Sequence, residues 1–186
     1  MLKKEVLVNG ISNLSDARYC AGMFVDYLCF ELNADHPDFI PVEKMVEIKN
    51  WVSGPKIGGR ISNWPEELTN EQWQDLGLDF IIIDDISLIN ASRARVGELF
   101  FEVKESSDTQ DLDNFEHILI SDDSLVGQIN HASLFVGGNI GLDNLEEKVE
   151  NEAIKGLALK GNHEDKPGES KYEDLMDVLE ALEEED

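Results

Sequence analysis

Two glycine-bearing segments carry the clearest chemistry in this sequence. Gly137-Gly138-Asn139 directly follows the apolar run Ser133-Val136, and Lys160-Gly161-Asn162 directly follows Ile154-Leu159. Glycine has no Cβ, so its backbone can approach an anion closely and donate N–H groups to phosphate oxygens. Lys160 adds a cation in a chain with only 15 Lys and Arg. The same glycines could instead serve only to make tight turns after strands. A second set of candidates is acidic: Glu31, Asp84, Asp85, Asp122 and Asp123 all stand at the ends of apolar runs. Carboxylates crowded on one rim become general acids or a site for a hard metal ion. With 40 Asp and Glu in the chain, several are expected at such positions by chance as solvated loop acids and helix N-caps, and no metal site is expected. Asn9-Gly10 and Arg60 end two further runs. His36, His117, His131 and His163 have no ligand spacing; His117 lies in a strand and reads as structural, while His163 follows the last strand. There is no Ser-His-Asp order, zinc pattern, P-loop or G-x-G-x-x-G, and no cofactor is expected.

The elements that must position these residues alternate. Strand-like runs occur at Glu5-Val8, Val25-Phe30, Lys56-Ile61, Asp79-Ile83, Glu98-Val103, Glu116-Ile120, Ser133-Val136 and Ile154-Leu159. Several are apolar almost throughout, as strands covered on both faces are. Helical segments fall between them. Ser15 reads as an N-cap with Asp16 in the first turn, and Pro41 opens a helix through Ile48. Thr69-Leu76 ends at the C′ glycine Gly77. Leu142-Glu150 and Ser170-Glu184 supply two more. Eight such units fit a closed (β/α)₈ TIM barrel better than a doubly wound sheet, and a barrel gathers all the C-terminal strand ends on one rim. The barrel is small, with only Ser121-Ala132 available for the whole connection between strands six and seven. One domain spanning 1–186 is expected, with 180–186 as an acidic tail whose acids oppose the helix dipole and loosen the last turn.

The formal net charge is −25, with 41% hydrophobic and 8% aromatic residues. That composition suits a folded domain with a real core rather than a disordered acidic chain. The charge argues against nucleic acid, because phosphate neutralisation needs a basic face, and against anionic membranes. No run approaches the ~20 apolar residues of a membrane span, and Met1-Leu2-Lys3-Lys4 leads into a strand rather than a signal sequence, so the expected location is cytoplasmic. Cys20 and Cys29 read as two buried thiols.

Several segments resemble phosphoribosylanthranilate isomerases. Leu7-Val8-Asn9-Gly10-Ile11-Ser12 resembles that family's Lys-Ile-Cys-Gly-Ile-Thr opening, and Ala21-Gly22 through Asp26-Tyr27-Leu28-Cys29-Phe30 its second strand. His36-Pro37-Asp38-Phe39-Ile40 stands where the family has Ser-Pro-Arg-Tyr-Val. Phe135-Val136-Gly137-Gly138 with Asp143-Asn144-Leu145 is similar to its Leu-Ala-Gly-Gly-Leu and Pro-Glu-Asn-Val. Lys160-Gly161, Lys166-Pro167-Gly168 and Lys171 parallel its terminal elements. The resemblance runs nearly end to end and implies a small (β/α)₈ barrel.

It also implies a chemistry, the Amadori rearrangement of tryptophan biosynthesis, in which a general acid opens the ribose ring and a general base removes a proton from the neighbouring carbon. The family's base is the Cys of the opening motif, which corresponds here to Asn9, and a carboxamide has no accessible basic pKa. The motif Lys corresponds to Leu7. The family's acid aligns with Ser121, with Asp122 one residue on, and the Gly-Gly-Thr-Gly loop that should follow is missing. Asp38 replaces the Arg that receives the substrate carboxylate, and the strand-four Gln and His correspond approximately to Ile82 and Asp84. Losing a general acid or base typically costs 10²–10⁴-fold each. The resulting reading is an isomerase-like barrel impaired or inactive in this reaction, with a small phosphorylated ligand held by Gly137, Gly138, Asn139, Lys160, Gly161 and Arg60. One alternative is an active isomerase, on phosphoribosylanthranilate or a related sugar phosphate, with Asp122 as acid and Asp84 as base. Another is a non-catalytic acidic protein that meets a basic protein partner.

Overall fold

Val, Ile, Leu and Phe dominate the runs that become strands, as burial on both faces requires. The computed structural model describes residues 1–64, 69–105, 111–161 and 172–184. Its strands are β1 (Glu5–Asn9), β2 (Tyr27–Glu31), β3 (Lys56–Ile61), β4 (Phe80–Ile83), β5 (Glu98–Val103), β6 (His117–Ile120), β7 (Leu134–Val136) and β8 (Gly156–Lys160). Every pairing is parallel, and the sheet closes by setting Glu5 opposite Gly156 and Asn9 opposite Lys160. This is the eight-stranded barrel that the alternation of elements implies.

The pleat splits the barrel's apolar residues into two groups. Leu7, Tyr27, Cys29, Phe80, Ile82, Phe100, Leu119, Phe135 and Ala158 fill the inside. Their immediate neighbours, such as Val6 and Val8, Leu28 and Phe30, or Ile81 and Ile83, belong to the larger layer beneath the helices. Tyr27, Phe80, Phe100 and Phe135 interlock inside, with ring centroids 5.2–5.8 Å apart. Such offset and edge-on contacts stabilise beyond the area they bury. Because side chains alternate with period two, each strand's inward positions continue upward into the rim at its C-terminal end.

Among the described residues the helices are α1 (Leu14–Gly22), α2 (Val42–Lys49), α3 (Asn70–Asp75), α4 (Ile89–Arg93), α5 (Leu145–Glu150) and α6 (Tyr172–Ala181). Two expectations are corrected here. The N-cap of α1 is Asn13, not Ser15: Asp16 N–H donates to Asn13 Oδ1 at 2.9 Å, and the helix starts one residue before Ser15. The end of α6 is not loose. Leu182 is fully buried, Lys3 N–H donates to Leu182 O, Glu184 N–H donates to Met1 O, and Leu2 bridges Glu183. Backbone pairing with the N-terminal segment outweighs the unfavourable dipole there. Thr69 does cap α3, with a full capping box through Gln72, and Gly77 has φ 54°. The β6–β7 connection is short, and Asp123–Leu125 forms a single 3₁₀ turn in it. No helix among the described residues is long and apolar enough to cross a membrane. Residues 162–171, including His163, Lys166, Pro167, Gly168 and Lys171, lie outside the described residues, as do Glu185 and Asp186 of the tail.

Candidate functional site

Above the aromatic core the inward positions turn polar. A cleft of about 280 Å³ opens at the C-terminal ends of the strands, lined by Asn9, Cys29, Glu31, Arg60, Glu102, Ser121, Gly137 and Lys160 among others. Apart from Cys29, which belongs to the core itself, these residues stand at or beside the C-terminal ends of their strands with inward parity, as Asn9 is to Leu7, Glu31 to Cys29, and Glu102 to Phe100. His36 and Asp38 reach the same cleft from the loop between β2 and α2. Asp38 is 6% exposed and packs on Gly10, where an added Cβ would sit 3.5 Å from Asp38 Oδ2.

The charges in this cleft are arranged against one another. Arg60 Nη1 bonds Glu102 Oε2, and Arg60 Nε lies 4.0 Å from Glu31 Oε2. Burial works against the guanidinium charge, but Glu102 and the neighbouring Glu31 outweigh it, and the Arg60 pKa rises. Glu31 also accepts from the backbone N–H of Asn33 at 3.0 Å and from Asn33 Nδ2. Asn33 Oδ1 accepts from Ser62 N–H at 2.7 Å, which ties the ends of β2 and β3 together. Lys160 Nζ lies 3.4 Å from Asp38 Oδ2, and His36 Nδ1 lies 3.7 Å from Glu31 Oε2 and 3.9 Å from Asp38 Oδ2. Burial pushes the Cys29 thiol pKa far up, so this cleft residue stays protonated and supplies neither base nor nucleophile.

Asn9 stands apart from this network. Its Oδ1 is buried with no hydrogen-bond partner. A buried, unsatisfied carbonyl carries a desolvation penalty.

The glycines at the ends of β7 and β8 meet demands of the barrel's own backbone. Gly137 N–H donates to Ile120 O at 2.7 Å and Gly161 N–H to Asn9 O at 2.6 Å, so both are spent inside the barrel. Gly138 has φ 84°, and a Cβ there would meet Ser121 O at 2.4 Å. Steric closeness of backbone to backbone requires these glycines. Asn139 is exposed, and its carbonyl accepts from Asn144 Nδ2 at 2.7 Å.

Of the residues singled out from sequence, Asn9, Arg60, Gly137, Gly138 and Lys160 line the cleft, and Gly161 adjoins it through Asn9. Asp84 and Asp122 are not among the lining residues. Asp84 accepts from Ser62 Oγ at 3.0 Å and pairs with Lys104 on the rim. Asp122 is exposed and caps the 3₁₀ turn by accepting from Ser124 N–H at 2.9 Å, which holds its carboxyl below the usual range. That environment favours the ionised form, the wrong state for an acid that must donate a proton. Ser121, one residue earlier, is the one that faces in, because a single step along a strand reverses the face. Glu102 went unremarked in the sequence because it lies inside a strand-like run. The signal was a carboxylate two residues after Phe100, hence on the same face as the core. Among the described residues no three His, Cys, Asp or Glu converge on a metal-sized site.

This fold and cleft define a small (β/α)₈ barrel with a polar ligand-sized mouth, and solved structures share that architecture. A phosphoribosyl anthranilate isomerase in complex with reduced 1-(o-carboxyphenylamino)-1-deoxyribulose 5-phosphate superposes with TM-score 0.77 at 16% identity, covering 95% of this chain and 97% of that one. TrpF from Jonesia denitrificans gives 0.78 at 13% identity, covering 96% of each chain. The isomerase from Thermotoga maritima gives 0.76 at 15% identity, over 96% and 100%. A triosephosphate isomerase from Bartonella henselae is less similar, at 0.56 and 11% identity over 86% and 93%. No family model and no curated protein matches the sequence. The chain therefore has a phosphoribosylanthranilate isomerase-like barrel, a statement about its fold.

Proposed function

We propose that this barrel binds a small phosphorylated ligand in its mouth and does not carry out the Amadori isomerisation of tryptophan biosynthesis. The observation that carries the second half is Asn9. The position that the resemblance assigns to the base holds a carboxamide in the cleft wall, and an amide oxygen does not accept a carbon-bound proton. Three further features support it. The motif Lys position is Leu7, fully buried in the core. Asp38 brings a carboxylate where the family receives a substrate carboxylate. Asp122 is an exposed cap held ionised. Support for the phosphate comes from the position of Gly137, Gly138, Asn139, Lys160 and Gly161 at the ends of β7 and β8, where barrels of this kind hold phosphate. With Gly137 and Gly161 N–H engaged, the Lys160 ammonium and the Gly138-Asn139 backbone carry the contact.

Complementation tests the reading directly. Expression in a tryptophan auxotroph lacking the isomerase is expected to give no growth without tryptophan, whereas growth overturns the proposal. Millimolar inorganic phosphate is expected to raise the melting temperature, as any ligand selective for the native state does. No shift removes the phosphate half.

A further inference from the structure

The pleat that carries polar residues to the upper mouth does the same at the opposite end of the barrel. Glu98, His117 and Ser133 stand at the N-terminal ends of the neighbouring strands β5, β6 and β7, each two residues before an interior residue, Phe100, Leu119 or Phe135. Ile118 N–H donates to the Ser133 carbonyl at 2.9 Å, and Ser133 N–H donates to His131 Nδ1 at 3.1 Å, so the Ser133 backbone is held from two sides. The three side chains form a chain of contacts. His117 Nδ1 lies 2.6 Å from Ser133 Oγ, and His117 Nε2 lies 3.3 Å from Glu98 Oε2. Lys56 Nζ pairs with the other Glu98 oxygen. The His117 ring stacks on Phe100 with centroids 4.2 Å apart and meets Tyr27 and Phe135 edge-on at 5.6 Å, which fixes its orientation. These partners assign its tautomer. An ionised carboxylate only accepts, so the neutral ring carries its hydrogen on Nε2 toward Glu98, and Nδ1 presents a lone pair to the Ser133 hydroxyl. Burial lowers the His117 pKa, with Lys56 of β3 acting the same way, although Glu98 and Glu5 of β1 oppose them. The ring is therefore neutral at neutral pH, the state a general base requires. The His117 side chain is 13% exposed and that of Glu98 27%, and Ser133 is partly exposed, so the group opens to solvent.

We propose that Ser133 is the nucleophile of a second site, at the N-terminal end of the barrel, which hydrolyses small esters with His117 as general base and Glu98 as a positioning residue. A hydroxyl donating to an imidazole whose other nitrogen is held by a carboxylate is the arrangement that activates serine, whatever the fold that supplies it. The site is independent of the phosphate reading for the cleft at the other end. In the first step Ser133 Oγ forms a bond to the ester carbonyl carbon and its proton passes to His117 Nδ1. The bond from that carbon to the alcohol oxygen then breaks, and the alcohol leaves with the proton. In the second step water attacks the acyl-serine and gives a proton to Nδ1. That proton returns to Ser133 Oγ as the carboxylic acid is released. A histidine satisfied structurally by the same two bonds would leave Ser133 no more reactive than the other serines of the chain.

The test treats the full chain with a fluorophosphonate probe and with p-nitrophenyl acetate. Peptide mass spectrometry is expected to find the probe on Ser133 in the folded chain and not in the urea-unfolded one. Ser133→Ala should abolish that adduct and the release of p-nitrophenol above background. His117→Gln should slow labelling by about 10²-fold or more, the scale of a lost general base. Labelling should rise with pH through a midpoint below the ordinary histidine value. Glu98→Gln should move that midpoint lower still, because it removes the contact that favours the charged ring; an unmoved midpoint overturns the role given to Glu98. No adduct on Ser133, or adducts forming on other serines at the same rate, overturns the proposal, as does ester hydrolysis that Ser133→Ala leaves unchanged. Should a variant fail to fold, the mapping in the unmodified chain still decides.

Discussion

Replacing Arg60 with Gln removes the only guanidinium in the cleft wall while keeping much of the side chain's length. Glu31 and Glu102 would then remain, with side chains 4% and 10% exposed, facing the place where the charge stood. Breaking a buried pair by deleting one partner costs about 3–5 kcal/mol, because the other charge stays desolvated. Arg60 is itself 22% exposed, and Glu31 keeps its bonds from Asn33, so a loss of about 2–3 kcal/mol is expected at pH 8. At pH 5 the loss should shrink, since a carboxylate without its counter-charge can take up a proton instead of remaining ionised. Urea unfolding followed by circular dichroism at both pH values measures this, provided the m-value is unchanged. Adding Glu102→Gln to Arg60→Gln should recover part of the lost stability, because the second substitution removes the stranded charge. A loss below about 0.5 kcal/mol at both pH values, the range of an ordinary surface substitution, would refute the reasoning. Arg60 would then be a cation free for a ligand rather than one engaged by the barrel's own acids.

Two other perturbations test the scaffold. Burial depresses the His117 pKa despite the nearby Glu98, so the folded chain binds fewer protons there than the unfolded chain below about pH 6.5. Stability is expected to fall as pH drops through that value, and His117→Gln should flatten the fall in thermal unfolding; an identical pH slope in the variant would exclude His117 as its source. Gly138→Ala should cost about 2–4 kcal/mol, from a left-handed φ and a Cβ placed 2.4 Å from Ser121 O. Gly97→Ala, which meets nothing within 4 Å, should be close to neutral in the same melting assay, and equal melting temperatures for the two variants would contradict the packing described.

The barrel was legible because its signal is repeated. Eight apolar runs, each followed by a connecting segment, allow one closed parallel sheet, and errors at single boundaries do not change that result. Val25-Phe30 could begin two residues late, at Tyr27, without altering the pairing of β2 with β1 and β3. The cap of α1 was misplaced because Asn13 and Ser15 both suit the role, and only the Asn13 oxygen reaches the Asp16 N–H. The end of α6 was misjudged because the dipole argument considers one helix alone, whereas Leu2, Lys3 and Met1 supply the pairing from the other end of the chain.

The site was harder to read because it depends on single-residue parity and on which cations are already engaged. Asp122 and Ser121 are adjacent in sequence, yet one caps a turn in solvent and the other lines the cleft. Arg60 and Lys160 look equally available from sequence, but the fold pairs both with acids drawn from β2, β5 and the loop carrying Asp38. The charged residues of the wall come from β2, β3, β5, β8 and that loop, whereas β1, β6 and β7 contribute Asn9, Leu119, Ser121 and Gly137. The positions that the resemblance assigns to the base and the acid, Asn9 and Ser121, carry no titratable group, whereas Glu31, His36, Asp38 and Glu102 line the other side of the same cleft. The charges that the mouth does hold are set in pairs, Arg60 with Glu102 and Lys160 with Asp38, so its electrostatics are fixed by contacts between β3, β5, β8 and the loop after β2 rather than by any one residue legible in the sequence.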